Sequence, residues 1–392
     1  MSVSTPLSFS PAKPQTAIVF TALLISLGIA FLLWDQSQRR TLLFVVGLLL
    51  GATLYFGSFG FSGAYRKLLC ERDMTGVVVQ LMMLGLAIVL FAPFIASGSV
   101  FGHGVSGSLA PVGVSVACGA FIFGVGMQFA RGCASGTLYT AGSGNGRMIL
   151  ALIFFCIGAF WGSLDLAWWQ SLPSVGVISL PDQLGWGSAV VVQLTMLILI
   201  YMGLKRAGWT VRAGGIWGQG LSFQNLRHGP WPLFFAGGML ALLNWATLLI
   251  TGHGWSITWA FSLWAAKGAV LLGWDPTSSS FWAGGFPSAA LHSTVLNDET
   301  SVMNIGILLG AIIASSLAGS YAKGGPLKPN PIFAAIGGGL LLGYGARLSY
   351  GCNIGAFFSG VASGSLHGWL WIIFALPGNA VGLFLRRIFK LQ

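Results

Sequence analysis

Charged residues are scarce in this chain of 392 residues. They make up only 7% of it, and only eight are acidic, whereas soluble globular domains carry roughly 25% charged residues. Hydrophobic residues make up 55%, and the mean hydropathy is +0.82. The composition therefore excludes an ordinary soluble domain and predicts an integral membrane protein.

The spacings typical of metal, redox and hydrolytic sites are also missing. The five cysteines contain no CxxC pair, and the five histidines show no metal-ligand spacing. No Ser-His-Asp or paired-carboxylate pattern is visible. The sequence predicts no cofactor, no metal site and no catalytic residue, so an enzyme is not expected. The formal charge of +11 is scattered between apolar runs, which argues against nucleic-acid binding.

Long apolar runs are abundant. Examples are 18–34, 77–96, 189–204, 234–250 and 369–385. Each is close to the roughly 17 to 25 residues that cross a bilayer as a helix. We predict an all-α multi-pass protein of the inner (plasma) membrane with about nine to eleven transmembrane or re-entrant helices. By the positive-inside rule, the following basic residues are expected to face the cytoplasm: Arg66, Lys67, Arg72, Lys205, Arg206, Arg212, Arg227, Arg386 and Arg387.

Two glycine-rich blocks repeat within the chain. "FGVGMQFARGCASG" (123–136) aligns with "LGYGARLSYGCNIG" (342–355) at a constant offset of 219 residues, the separation of Cys133 and Cys352. Four glycine pairs and one cysteine pair coincide, and the other three cysteines have no cysteine partner at this offset. The repeat predicts two pseudo-symmetric halves with a substrate site between them near the bilayer midplane.

The repeat also suggests a division of the chain. Residues 1–41 are expected to form an N-terminal tail and an additional transmembrane helix, and residues 42–204 the first half. Residues 205–230 would be a cytoplasmic linker, and residues 231–392 the second half. The position of Arg39 and Arg40 suggests that the stretch 42–69 is partly re-entrant.

A Gly-Cys break inside a long apolar region is tolerable only where it lines a cavity or is buried in protein. Helices that begin after such breaks present free amides to an anion, and a thiol is a soft group suited to a sulfur-containing ligand. The candidate path residues are Cys133, Cys352, Gly60, Gly132, Gly136, Gly351, Gly355, Asn353 and Arg347. Further candidates are Arg131 and Lys267, which could instead reach an interface, and Cys70, which borders the cytoplasm.

Three motifs resemble the YeeE/YedE family of membrane proteins. They are "FGFSGAYRKLL" (59–69), "GVGMQFARGCASGTLY" (124–139) and "GYGARLSYGCNIGAFFSG" (343–360). The resemblance extends from about residue 42 onward. It implies an hourglass-like monomer in which short helices point their positive ends toward a central path, and in which the substrate passes between cysteine thiols by transient hydrogen bonds.

The resemblance also implies a substrate class and a partner. The better understood branch takes up thiosulfate, and the family often works with a small sulfur-carrier protein on the cytoplasmic side. The other expected partners are the sulfur-containing anion itself and membrane lipid. The thiosulfate branch has a further cysteine in the first motif, where this sequence has Gly60.

Two alternatives stay open. The departure at Gly60 allows a transporter of another sulfur or selenium species. A membrane thiol-redox or sulfur-transfer enzyme using Cys133 and Cys352 is the alternative from a different functional class, although the absence of a CxxC pair disfavours it.

Overall fold

A computed structural model describes residues 13–218, 220–324 and 329–389. The first 12 residues of the predicted N-terminal tail lie outside the described residues. The α-helices of the first part are α1 (Thr16–Gln36), α2 (Gln38–Phe56), α3 (Phe61–Glu71), α4 (Thr75–Ser97), α5 (Val114–Ala130), α6 (Ala134–Gly142), α7 (Gly146–Leu164), α8 (Leu166–Gln170), α9 (Leu180–Leu184) and α10 (Trp186–Arg206).

The remaining α-helices are α11 (Ala213–Trp217), α12 (Phe223–His228), α13 (Leu233–Thr251), α14 (Thr258–Leu271), α15 (Gly285–His292), α16 (Glu299–Leu317), α17 (Pro329–Leu348), α18 (Ser359–Ala362) and α19 (Leu366–Ile388). Two 3₁₀ turns lie at Pro276–Ser278 and Val295–Asn297, and a π-helical turn at Asn353–Phe358 leads directly into α18.

Strands are few and short. β1 (Ser99–Val100) pairs antiparallel with β2 (His103–Gly104), and β3 (Pro111–Gly113) pairs antiparallel with β4 (Ser174–Val177). The register of the second pair shifts between Pro111 and Gly113. These strands only close loops at one end of the helical bundle.

Ten helical segments of the described chain are long and apolar enough to cross a membrane. This confirms the predicted all-α multi-pass architecture and the expected range of nine to eleven helices. Three of these segments combine more than one helix: 38–71, 114–142 and 329–362. The first contains the stretch that the sequence indicated as partly re-entrant, and it is interrupted at residues 57–60.

Two of the short helices, α3 and α6, begin inside the bundle and end at its basic face. We define the basic face as the end of the bundle that carries Arg72, Arg206, Arg212, Arg227 and Arg387. At the end of α3, the Trp209 indole donates to the Leu68 carbonyl at 2.9 Å. At the end of α6, the Ala322 N–H donates to the Ser143 carbonyl at 3.0 Å.

The other two short segments run in the opposite direction. One is the π-helical turn together with α18, and the other is α14. The π-helical turn and α18 end at the face that carries the strands, where the Ser108 N–H donates to Ser363 Oγ at 2.9 Å. α14 ends beside the segment that leads into the start of α16, the end of α16 remote from the basic face. The N-termini of all four short segments therefore lie in the interior, where their free N–H groups favour negative charge.

Close helix contacts hold this bundle together. α7 packs along α17, and α5 packs between α17 and α19. Gly339 and Gly343 of α17 have the GxxxG spacing that lets membrane helices approach. A Cβ added at Gly343 would overlap the Phe155 carbonyl oxygen and approach the Ala159 nitrogen of α7. These glycines are therefore packing residues of the α7–α17 contact.

We predict that Gly343→Ala lowers the thermal unfolding midpoint of the purified protein. The added methyl group must push α7 and α17 apart, and overpacking of this kind costs about 1–3 kcal/mol. Gly337→Ala is the matched control on the same helix, because no atom lies within 4 Å of a Cβ built there. Equal midpoints for the two variants would contradict the close-approach interpretation.

Candidate functional site

The first predicted break places Cys133 at the start of α6. α5 ends at Arg131, which has a left-handed backbone (φ 63°), and Cys133 is the N-cap of α6. Its Sγ accepts the Gly136 N–H at 3.4 Å, and its carbonyl accepts the Thr137 N–H at 2.8 Å. The thiol side chain is only 1% exposed. Cys133 thus occupies the position that a serine or threonine commonly takes as an N-cap.

The second break has the same design. Tyr350 and Gly351 have positive φ angles (57° and 153°), and Cys352 is the N-cap of the π-helical turn. The Cys352 Sγ accepts the Ile354 N–H at 3.4 Å, and the residue is fully buried. Gly351 is required here, because a Cβ would lie 2.6 Å from the Ala356 nitrogen. π-Helical turns occur frequently at functional sites.

The fold brings these two breaks together. Cys133 lies in the neighbourhood of both Cys352 and Tyr65 of α3. Phe61, the first residue of α3, contacts Phe357 of the π-helical turn with ring centroids 6.5 Å apart. α3, α6 and the π-helical turn therefore meet at one buried region, which we call the thiol site.

Three other predicted glycines lie at this site, where an added side chain would approach polar groups. A Cβ at Gly132 would lie 2.8 Å from Thr137 Oγ1, and one at Gly136 would lie 3.3 Å from Cys133 Sγ. A Cβ at Gly355 would lie 3.5 Å from the Ser256 hydroxyl. Larger residues at these positions would crowd the polar groups around the thiols.

Buried polar atoms at the thiol site lack hydrogen-bond partners. Both polar atoms of the Asn353 amide, the Tyr65 hydroxyl and Thr137 Oγ1 are buried and make no well-formed hydrogen bond. The Asn353 side chain lies close enough to the Tyr65 hydroxyl for a weak hydrogen bond between these two groups. Native proteins pair the large majority of such groups, and each unpaired one costs about 1–3 kcal/mol. Their position near two thiols and two helix N-termini makes the thiol site a candidate place for contact with a polar ligand.

Sequence reasoning identified Asn353 but missed Tyr65 and Thr137. The signal that could have found them is helical spacing, since Thr137 follows Cys133 by about one turn. Tyr65 lies inside the motif "FGFSGAYRKLL", five residues after Gly60. Neither residue type attracts attention in an apolar chain unless its burial is known.

A fourth break, at residues 252–257, was also missed. It separates α13 from α14, and the Trp255 backbone is fixed on both sides. The Trp255 N–H donates to Asn244 Oδ1 at 2.7 Å, and Ser359 Oγ donates to the Trp255 carbonyl at 2.9 Å. This arrangement presents Ser256 opposite Gly355. The glycines of "TGHGWS" were the available sequence signal, but no cysteine marked them.

Gly60 lies at the N-terminus of α3, beside an open cavity of about 450 Å³. The cavity is also lined by Lys67, Asp73 and Arg212, and no atom lies within 4 Å of a Cβ built at Gly60. Burial alone would raise the pKa of Asp73. The Thr75 hydroxyl and N–H and the neighbouring Arg212 outweigh it, so the pKa lies below its usual value. A side chain at position 60 would project into this polar cavity.

The charged candidates Arg347 and Lys267 contact aromatic rings and backbone carbonyls, respectively. The Arg347 guanidinium lies over the rings of Phe281 (4.2 Å) and Trp259 (5.7 Å). Lys267 Nζ donates to the backbone carbonyl of Leu291 at 2.7 Å, which fixes the end of α15. A role for these two residues in the substrate path stays a prediction.

Arg131 and Cys70 lie toward the basic face. Arg131 belongs to a cluster of mutually interacting arginines with Arg66, Arg147 and Arg386. Cys70 is exposed near the end of α3 and interacts electrostatically with Arg386. Their part in the path also stays a prediction.

Comparison with known proteins agrees with the geometry. A family model described as sulphur transport matches residues 56–381. The thiosulfate transporter TsuA of Spirochaeta thermophila is 29% identical over 342 residues, which cover 86% of this chain and 95% of that protein.

Two relatives from Escherichia coli are also similar. TsuA is 23% identical over 85% of this chain and 91% of its own length. The probable transporter YedE is 31% identical over 41% of this chain and 40% of its own length. The resemblance inferred from the three motifs is confirmed, and this multi-pass membrane protein belongs to the sulphur transport family that includes YeeE and YedE.

Proposed function

We propose that this protein takes up a small sulfur-containing anion, most readily thiosulfate, across the inner membrane. The observation that carries the proposal is the thiol site, where two buried cysteines cap helix N-termini beside unpaired polar groups. TsuA proteins named as thiosulfate transporters match this chain over most of its length. The membership of the chain in a transporter family argues against an enzyme.

The chemistry of the thiol site suits brief binding. A neutral thiol is a weak hydrogen-bond donor, so it can contact a sulfur atom without holding it tightly. The helix N-termini behind Cys133 and Cys352 supply partial positive charge that offsets part of the desolvation of an anion. The anion can then pass between the two thiols without forming a covalent bond.

The inverted directions of the short helices support the two-half arrangement. The segment α5–α6–α7 and the segment from α17 through the π-helical turn to α19 follow the same order of long helix, cysteine break and long helix. The proposed halves are residues 42–204 and 231–392, and residues 205–230 form the proposed linker. Residues 1–41 form the proposed N-terminal tail and additional transmembrane helix. The path would run between the halves in an hourglass shape.

The basic face suits the proposed cytoplasmic side. A small sulfur-carrier protein could receive the anion there, as the family resemblance implies, and the lipid bilayer would surround the apolar helices. The arginine cluster of α3, α5, α7 and α19 would attract an anion leaving the thiol site.

Replacing either thiol is expected to reduce thiosulfate uptake. Cys133→Ala and Cys352→Ala each remove one hydrogen-bonding station, which corresponds to roughly a ten-fold loss. Uptake by a sulfur-limited host, or into proteoliposomes, measures the effect. Cys118→Ala is the matched control, since Cys118 lies within α5 and caps neither of the two short helices.

Wild-type uptake in both thiol variants would refute the relay. A reductant-sensitive crosslink between Cys133 and Cys352, together with a turnover product, would instead favour the thiol-redox enzyme. The uptake assay and the crosslinking assay thus separate the two functional classes.

Gly60→Cys is expected to increase thiosulfate uptake, because it supplies the thiol that the thiosulfate branch of the family has at this position. The cavity beside Gly60 has space for the new side chain. Gly60→Ala controls for the added volume, because it introduces the Cβ without a thiol. An equal rate in wild type and Gly60→Cys would favour another sulfur or selenium species as the substrate.

A further inference from the structure

The unpaired polar groups at the thiol site come from three separate elements. Tyr65 lies on α3, Thr137 on α6 and Asn353 on the π-helical turn. All three side chains are buried, with exposed fractions of 2%, 0% and 0%. An irregular conformation in a single loop can leave one buried polar group unpaired. Unpaired groups on three converging elements indicate a shared ligand.

These groups lie near the two thiols. The Thr137 hydroxyl lies over the Gly132–Cys133 backbone, at 2.8 Å from the position of a Gly132 Cβ. Tyr65 interacts with Cys133 and lies near the Asn353 amide, and Asn353 directly follows Cys352. An anion between the two thiols would therefore be within reach of a phenol, an alcohol and an amide.

The polar groups recorded around the thiols are neutral. The predicted cation Arg347 lies over aromatic rings, and the arginine cluster belongs to the basic face. Recognition at the thiol site therefore depends on hydrogen bonds and helix ends rather than on ion pairs. Hydroxyl and amide groups are good donors to oxygen, whereas thiols are weak donors. The hydroxyl and amide groups suit the oxygen end of a sulfur-containing anion, and the thiols suit its sulfur end.

We propose that Tyr65 and Thr137, with the Asn353 amide, form a clamp for the oxygen-bearing end of the transported anion, while Cys133 and Cys352 contact its sulfur end. This inference rests on the proposed function and extends it to substrate selection. Tyr65 and Thr137 are then specificity-determining residues. The clamp favours anions that have both an oxyanion group and a soft terminal atom over anions that have only one of them.

The clamp has opposite effects on binding and on stability. In the protein without ligand, the Thr137 hydroxyl is destabilising, because burial has removed it from water without supplying a partner. Removing this hydroxyl should therefore leave the thermal midpoint unchanged or raise it. A hydroxyl with a merely structural role would lower the midpoint when removed.

The experiment compares Tyr65→Phe and Thr137→Val with wild type in the purified full-length protein. Thiosulfate binding and hydrosulfide binding are measured by calorimetry, since hydrosulfide has a sulfur but no oxygen. We expect thiosulfate to bind about ten-fold more weakly to each variant, hydrosulfide to bind as it does to wild type, and the unliganded midpoint of Thr137→Val not to fall.

Thr53→Val is the matched control. Thr53 is a buried threonine whose hydroxyl donates to the Leu49 carbonyl at 2.7 Å within its own helix. Its replacement removes a satisfied hydrogen bond, so the midpoint should fall and thiosulfate binding should stay unchanged.

Two results would overturn the clamp: unchanged thiosulfate affinity in both variants, or equal losses for thiosulfate and hydrosulfide together with a lower midpoint. Failure of the proposed thiosulfate substrate gives a different result, in which wild type binds no thiosulfate. Sulfite and selenite then replace it as probes, and weaker binding of either to the variants supports the clamp. Absence of binding of all three oxyanions to wild type overturns the clamp as well.

Discussion

The backbone of a membrane-spanning chain must satisfy its own hydrogen bonds, because the hydrocarbon core of the bilayer offers none. Within the described residues, the helices around the thiol site are interrupted at residues 57–60, 131–133, 252–257 and 349–352. Most residues of each interruption are buried among other helices, and the two cysteines help to satisfy the free N–H groups. Unpaired backbone N–H groups make a helix break energetically unfavourable in lipid. The same N–H groups can donate hydrogen bonds to an anion.

Close packing makes these interruptions tolerable. Glycines allow α17 to approach α5 and α7 so closely that an added Cβ would meet backbone atoms. Such packing fixes the long helices, and these in turn fix the ends of the short ones. The breaks are therefore held in place by the helices around them together with the hydrogen bonds at the breaks. A flexible frame would let the free helix ends find partners elsewhere.

The thiol site differs from the fourth break in how its polar groups are used. Asn244, Ser359 and the Trp255 backbone are joined by hydrogen bonds at the fourth break. Asn353, Tyr65 and Thr137, in contrast, keep unpaired groups in an equally buried environment. The contrast separates polar residues that hold the backbone from polar residues that await a ligand. Stability lost at the second kind of residue is typical of functional sites.

The sequence by itself determined the membrane class, the range of helix numbers, the family and the two cysteine breaks. Length, hydropathy and the spacing around Cys133 and Cys352 are local properties, so they can be read along the chain. The tertiary structure alone decided which groups meet. It joined Tyr65 and Thr137 to the thiols, placed Arg347 over aromatic rings, and revealed the break at Ser256. Those outcomes depend on the directions in which distant helices face and on which polar groups remain unpaired after packing. Neither property has a signature in the order of residues.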